Sequence, residues 1–328
     1  MFPLKYLGAG SAVVCLAVLL PATVLAQAGA YPNKPVIIIH PYPPGGSTDP
    51  EARLYAQKLS ENTGRPFLVD YKPGAGTTIG AAHVAKAAPD GYTLLALTPS
   101  LTVSTLAYSN LPFDPFKDLA PLSLMSKRPS LYIVTPSLPV RNMTEYLAHA
   151  RAHPGKLNVG TSGAGGLGEL ALGWLHQMGN MNVQLVHYKG GAPSYTAVMS
   201  GEVHAVLGSV AAMMSNIKAG KARAIAVSTL ERSSFLPDLP TIAEQGFPGF
   251  EYAQWIGISG PAGMPAAVIN RLSLELPRAA RAPEILQKLA SDGTLMVGST
   301  PEQFRQHIAT EAARWRKVAQ DTGIKLVQ

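Results

Sequence analysis

Three stretches of the chain join glycines to hydroxyl side chains where apolar runs give way to helical ones. The first is Pro43-Pro44-Gly45-Gly46-Ser47-Thr48-Asp49, the second Gly74-Ala75-Gly76-Thr77-Thr78, and the third Thr161-Ser162-Gly163. Glycine lets the backbone turn and approach a ligand with no Cβ in the way. Free N–H groups at a helix start, with the hydroxyls of Ser47 and Thr48, point at one spot that the helix dipole favours for negative charge. Asp49 suits an N-cap and Pro50 the first helical position, so the first loop is expected to open a helix. The chemistry is anion binding. Each loop alone reads equally well as a tight turn between strand and helix. Three of them at strand C-terminal ends favour a ligand site, because open α/β sheets bind ligands at that edge.

Reactive chemistry finds less support. Gly163-Ala-Gly165-Gly166-Leu-Gly168 fits a dinucleotide fingerprint, but the acid required about twenty residues on is missing, since the next strand ends His187-Tyr188-Lys189. Gly160-Thr-Ser162-Gly-Ala164 approaches a nucleophile elbow without its last glycine, with Asp292 and His307 in the required order. A periplasmic serine hydrolase using Ser162 is the enzyme alternative, and fluorophosphonate labelling tests it. His149 and His153 have zincin spacing, but the glutamate is absent and Pro154 ends the helix, so a solvated face is expected. Lys189 lacks a Walker context. Trp174, Met178 and the Met213–Met214 pair read as core, whereas Trp255 fits either a cleft wall or hinge packing.

These loops need elements to hold them. Short apolar runs at 36–42, 67–72, 92–98, 157–160, 183–188, 203–208 and 222–228 alternate with helical segments, a pattern of parallel sheets flanked by helices. A second series begins with LYIVT after Arg128. A late strand, WIGIS (255–259), precedes helices near 265–281, 283–291 and 301–321. If the first domain takes these back, the chain crosses between domains twice, near 127–128 and 251–253. The expected division is a first domain of 27–127 and 253–328 and a second of 128–252. Clefts between such domains close around ligands.

Composition bounds the rest. Met1–Ala26 has one cation, Lys5, an apolar run, AVVCLAVLL, and a small-residue cleavage pattern, the plan of a signal peptide for export to a bacterial periplasm. Cleavage would remove Cys15, the single cysteine, leaving no disulfide and no thiolate for a metal. Of 328 residues, 302 would remain, enough for two domains. Losing Lys5 lowers the net charge from +7 to +6, and the cations are scattered, which speaks against nucleic acid.

PYPPGGSTDPEAR, YKPGAGTTIGAAHVAKAAPDGYTLL, GTSGAGG, HYKGGAPSYTAVMSGEV, ERSSFLPDLPTIAEQGFPGF and WIGISGPAGMP together resemble the Bug-type extracytoplasmic solute receptors of tripartite tricarboxylate transporters. The resemblance spans nearly the whole chain after Ala26. It implies a two-domain, type II-like flytrap of the periplasmic-binding-protein class, monomeric and without cofactor or enzymatic activity. Such a receptor presents a small carboxylate to membrane permease subunits. A sensor subunit for a membrane kinase would look the same. By the resemblance, the loops at Pro43–Asp49 and Thr161–Gly163 grip a ligand carboxylate. Gly76–Thr78, Thr98, Ser100, and Tyr188, Lys189, Gly190 and Gly191 line the remaining cleft. Three positions depart from the family pattern. Pro50 replaces an aliphatic residue, and His204 and Gly208 replace acids, with Ser209 beside the second. That argues against a ligand bearing an ammonium group and makes Ser209, Tyr188 and Thr98 the expected selectors of ligand.

Overall fold

A computed structural model describes residues 31–324 apart from 46–47, 109, 234 and 291–292. Gly46, Ser47, Asp292 and the leader expected at 1–26 therefore lie outside the described residues.

The first half is built as the alternation requires. Strands β1 (Val36–His40), β2 (Phe67–Tyr71) and β3 (Thr93–Leu97) run parallel, with β1 in the middle. Helix α1 (Asp49–Thr63) buries Ala52, Tyr55, Ala56 and Leu59, the i, i+3, i+4, i+7 face of a 3.6-residue period. Gly64 ends it in the left-handed region at φ 68°, donating its N–H to the Ser60 carbonyl. Helices α2 (Thr78–Ala85) and α3 (Pro99–Ala107) follow β2 and β3.

The next strand, β4, is longer than the expected LYIVT segment, running from Leu119 to Val134. Its first part, Leu119–Pro129, pairs antiparallel with β9 (Ala253–Pro261). From Ser130 to Val134 it pairs instead with β7 (Ala205–Ser209) on one side and β8 (Arg223–Val227) on the other. With β5 (Asn158–Thr161) and β6 (Gln184–His187) at its far end, the curled sheet is ordered β2-β1-β3-β9-β4-β7-β5-β6, and one strand serves both halves. Register shifts between Pro121 and Ser123 and between Leu124 and Ser126 mark irregularities that add twist to β4. The second half repeats the first, with β5 (Asn158–Thr161) parallel to β6 (Gln184–His187) and to β7. Its helices are α4 (Met143–Ala152), α5 (Leu167–Met178), α6 (Gly191–Ser200) and α7 (Val210–Lys218). Parallel pairing is thus a property of the outer strands, and the joining strands β4 and β9 are antiparallel. The fold is a two-lobed α/β flytrap.

After β9 come α8 (Ala266–Ala280), α9 (Pro283–Leu289), a short β10 (Leu295–Met296) on β4, and α10 (Pro301–Thr322). A capping box between Thr300 and Gln303 starts α10. Its buried residues serve two cores. Phe304 and Ile308 pack with Leu97, Leu124 and Trp255 of the first half. Trp315 and Val318 pack with Leu170, Tyr132 and Phe250 of the second. Gly257 makes room for the first contact, since a Cβ there would lie 2.1 Å from the Phe304 ring. Trp255 is buried, edge-on to Phe304 and His307 and donating Nε1–H to Glu311. Trp174 packs on Phe250 and Trp315 as a core residue.

Candidate functional site

Every loop singled out from the sequence follows the C-terminal end of a parallel strand, and hydrogen bonds knit the loops into two clusters. In the first half, the helix cap differs from expectation. Thr48, not Asp49, is the N-cap of α1, and its hydroxyl makes no cap bond because it is held 2.9 Å from His40 Nε2. Asp49 is instead the first helical residue, and its carboxylate binds the loop. Oδ2 accepts the Gly45 N–H at 2.8 Å, while Oδ1 accepts from Tyr71 Oη at 2.6 Å and Arg53 Nε at 3.0 Å. Burial pushes the Asp49 carboxyl up, but the Tyr71, Gly45 and Arg53 donors outweigh it and hold it below the usual range. His40 is fully buried, and burial holds its imidazole below its ordinary value. Tyr42 joins the next loop, since its hydroxyl lies 3.0 Å from Thr98 Oγ1 and donates to Ser100 Oγ at 2.6 Å.

The Gly74–Thr77 turn stands beside this cluster with four consecutive residues at positive φ. Gly76 has φ 58°, and its carbonyl accepts from Ser104 Oγ, where a Cβ would collide with the same oxygen at 2.5 Å. Thr77, at φ 81°, is a non-glycine residue in a costly region, and its buried hydroxyl has no protein partner. Thr78 starts α2 and donates to the Ala75 carbonyl.

The second half supplies the other cluster. Thr161 Oγ1 lies 2.8 Å from His187 Nδ1 and accepts the Gly163 N–H at 3.3 Å. Tyr188 N–H donates to the Thr161 carbonyl and Gly190 N–H to that of Ser162, so backbone hydrogen bonds join the loops after β5 and β6. Gly190, at φ 108°, and Gly191 open α6. Tyr188 is half-buried and donates to Glu202 at 2.7 Å; burial and that carboxylate push its phenol up to about 12. Lys189 is exposed. Ser209 caps α7, accepting from Ala212 N–H, and its own N–H is held by Tyr195 Oη.

Two of the three departures from the family pattern, His204 and Gly208, sit at opposite ends of β7, while Pro50 lies in the first turn of α1. His204 lies before its first residue and accepts the Asn158 N–H, at the sheet edge away from the loops. Gly208 faces the sheet's packed side, where a Cβ would meet Ile133 Cδ1 at 2.6 Å. Five residues of these clusters, His40, Tyr42, Tyr71, Glu169 and His187, escape sequence reasoning. Histidine and tyrosine at the ends of strands beside Gly/hydroxyl loops are the signal that would have found four of them.

Ser162 is exposed on its loop, and among the described residues no imidazole pairs with it; the base beside this loop, His187, holds buried Thr161 instead. His307 packs on Trp255 near Lys127, Glu251 and Arg314, with burial taking its imidazole down to about 4. His149 and His153 stack on each other at 4.3 Å on α4. Among the described residues no group of three His, Cys, Asp or Glu side chains gathers to hold a metal ion. No helix among them is long and apolar enough to cross a membrane. A separate cavity of about 350 Å³, lined by Leu101, Phe116, Leu119 and Ile308, lies between α3 and α10, and none of the loop residues above lines it.

Two lobes joined through β4 and β9, with polar loops at the C-terminal strand edges of each, define a solute-binding receptor. The family described as tripartite tricarboxylate transporter family receptor, TctC, matches residues 51–324, and the chain belongs to it. It is 32% identical to BugT of Bordetella pertussis over 92% of this chain and 93% of that protein. The solved structure of R. palustris Rpa4515 with adipate is 34% identical, covers 90% of this chain and 99% of its own, and superposes with a TM-score of 0.73. MatC from Rhodopseudomonas palustris with bound malate is 27% identical, with coverage of 88% and 99% and a TM-score of 0.69. Family and neighbours are binding proteins, not enzymes.

Proposed function

We propose that this chain is a periplasmic receptor that captures a small organic carboxylate between its lobes and delivers it to the permease subunits of a tripartite transporter. The observation that carries the reading is the pair of clusters around Gly45, Thr48 and Asp49 and around Thr161 and Gly163, which bring backbone N–H groups and hydroxyls together, one on each half of the curled sheet. Their donors suit an anion, and among the described residues His187 bonds to Thr161 and no imidazole bonds to Ser162. The adipate and malate bound to two relatives belong to the same ligand class. In this reading the cleft runs between residues 27–127 with 253–328 and residues 128–252, and the lobes close about the crossings at 127–128 and 251–253. Gly76, Thr77, Thr98, Ser100, Tyr188 and Gly190 form the remaining wall. Thr77's unpartnered hydroxyl suits a ligand or a bound water.

A panel of mono-, di- and tricarboxylates, with sugars and amines as controls, tests the reading by thermal shift. Ligand at a hundred times its dissociation constant stabilises the fold by about 2.7 kcal/mol, a rise of several degrees. Shifts with sugars or amines and none with any carboxylate would overturn it.

A further inference from the structure

Beneath the 161–163 loop, Thr161, His187 and Glu169 form a hydroxyl–imidazole–carboxylate chain. Thr161 Oγ1 is 2.8 Å from His187 Nδ1, and His187 Nε2 is 3.4 Å from Glu169 Oε1. Glu169 is buried on α5, with its other oxygen taking the Gly165 N–H. A carboxylate only accepts, so the imidazole nitrogen facing it carries a proton. In neutral His187 the other nitrogen, Nδ1, is then a bare acceptor, and Thr161 must spend its one hydrogen on it. The Thr161 oxygen is left with lone pairs, the wrong polarity for an arriving carboxylate. A second proton on His187 reverses the bond. Nδ1–H now donates to Thr161, whose hydrogen turns free, either toward the Gly163 carbonyl 3.1 Å away or toward a ligand oxygen.

We propose that His187 is a positioning residue that sets the polarity of the Thr161 hydroxyl, so that capture of a carboxylate takes up a proton. The inference rests on the reading of the 161–163 loop as a carboxylate grip. The groups facing His187 are Thr161 from β5 and Glu169 from α5; along its own chain the next charges are Lys189 and the Glu202 carboxylate held by Tyr188. The His187 side chain is 39% exposed, so protons reach it and substitution there leaves the core intact. Proton uptake on capture makes the affinity for carboxylates fall as pH rises.

Adipate and malate are the probes, titrated calorimetrically from pH 5.5 to 8 in two buffers of different ionisation heat. Expected for the unaltered protein is uptake of a fraction of a proton on binding and about tenfold weaker affinity at pH 8 than at pH 5.5. In His187→Asn, whose amide donates to Thr161 at every pH, both effects vanish and affinity stays flat; comparing the two proteins cancels the titration of the ligand itself. His187→Gln, which cannot take up a proton either, is the second variant if the asparagine fails to fold, and its affinity is expected to be equally flat with pH. Carboxylate binding without proton uptake, or with an unchanged pH profile in both variants, overturns the relay and leaves the receptor reading standing. Failure of adipate, malate and every other carboxylate to bind overturns both.

Discussion

Replacing Glu251 by glutamine should destabilise the protein where β4, the start of β9 and α10 meet. Glu251 precedes β9 and is 8% exposed, with Lys127 of β4 donating to Oε1 at 2.8 Å and Arg314 of α10 at 3.5 Å from Oε2. Arg314 is shared with Glu311, which also accepts from the indoles of Trp255 and Trp315. Glutamine keeps the shape and removes the charge, stranding Lys127 and weakening the hold on Arg314. Breaking a fully buried pair costs about 3–5 kcal/mol. These cations keep 22% and 18% side-chain exposure, so about 2–3 kcal/mol is the expected loss here. With about 2.1 cal/mol/K of unfolding entropy per residue, a chain of about 300 residues carries about 0.6 kcal/mol/K, and the melting temperature falls by about 3–5 °C. Scanning calorimetry at pH 7 reads the shift, and adding Lys127→Met should recover part of it. The pH dependence has a fixed sign. Burial raises the Glu251 carboxyl, but Lys127 and Arg314 pull it net below the usual value. Its stabilisation is therefore complete above the unfolded carboxyl value and is lost as pH falls through the lower folded one. A variant melting within 1 °C of the unaltered protein at pH 7, or a deficit undiminished at pH 3, would refute the reasoning.

Two further substitutions address other parts of the molecule. Asp49→Asn removes the charge that draws in Gly45, Tyr71 and Arg53, so melting should fall by a few degrees and carboxylate affinity by about tenfold; unchanged affinity in calorimetric titration would separate this network from the ligand loop. His176 is buried on α5 with its Nε2 unpartnered, and burial lowers its imidazole to about 3. The unfolded chain binds that proton and the folded one does not, so between about pH 6.5 and 3 stability falls by about 1.4 kcal/mol per pH unit. His176→Leu should remove this slope, and melting curves from pH 7 to 4 that stay parallel for the two proteins would contradict it.

Much of the architecture is legible in the sequence because periodicity is a local property. The helix face of Ala52, Tyr55, Ala56 and Leu59 and the strands flanking the Gly/hydroxyl loops all follow from spacings within a dozen residues. The first part of β4 does not, because Pro121, Ser123, Ser126 and Pro129 depress strand propensity while β9 supplies the pairing that overrides it. The cap of α1 misleads for a related reason. Asp49 has the right chemistry for a cap, but Tyr71 and Arg53 reach its carboxylate only in the folded chain. The polar linkages of the site are long-range in the same way. Tyr42 meets Thr98 across 56 residues and Thr161 meets His187 across 26, distances at which one sequence carries no signal. Loop composition reveals where an anion would be held, and tertiary structure alone reveals which hydrogen each hydroxyl has to offer.

The double allegiance of α10 bears on how the chain comes to fold at all. Phe304 and Trp315, three turns apart on one helix, each close a different core. A ribosome delivers that helix after every strand of both cores, so the emerging chain has no finished lobe to protect. The same dependence makes the two lobes one unit for quality control, since a protease that clips α10 uncovers both cores at a stroke.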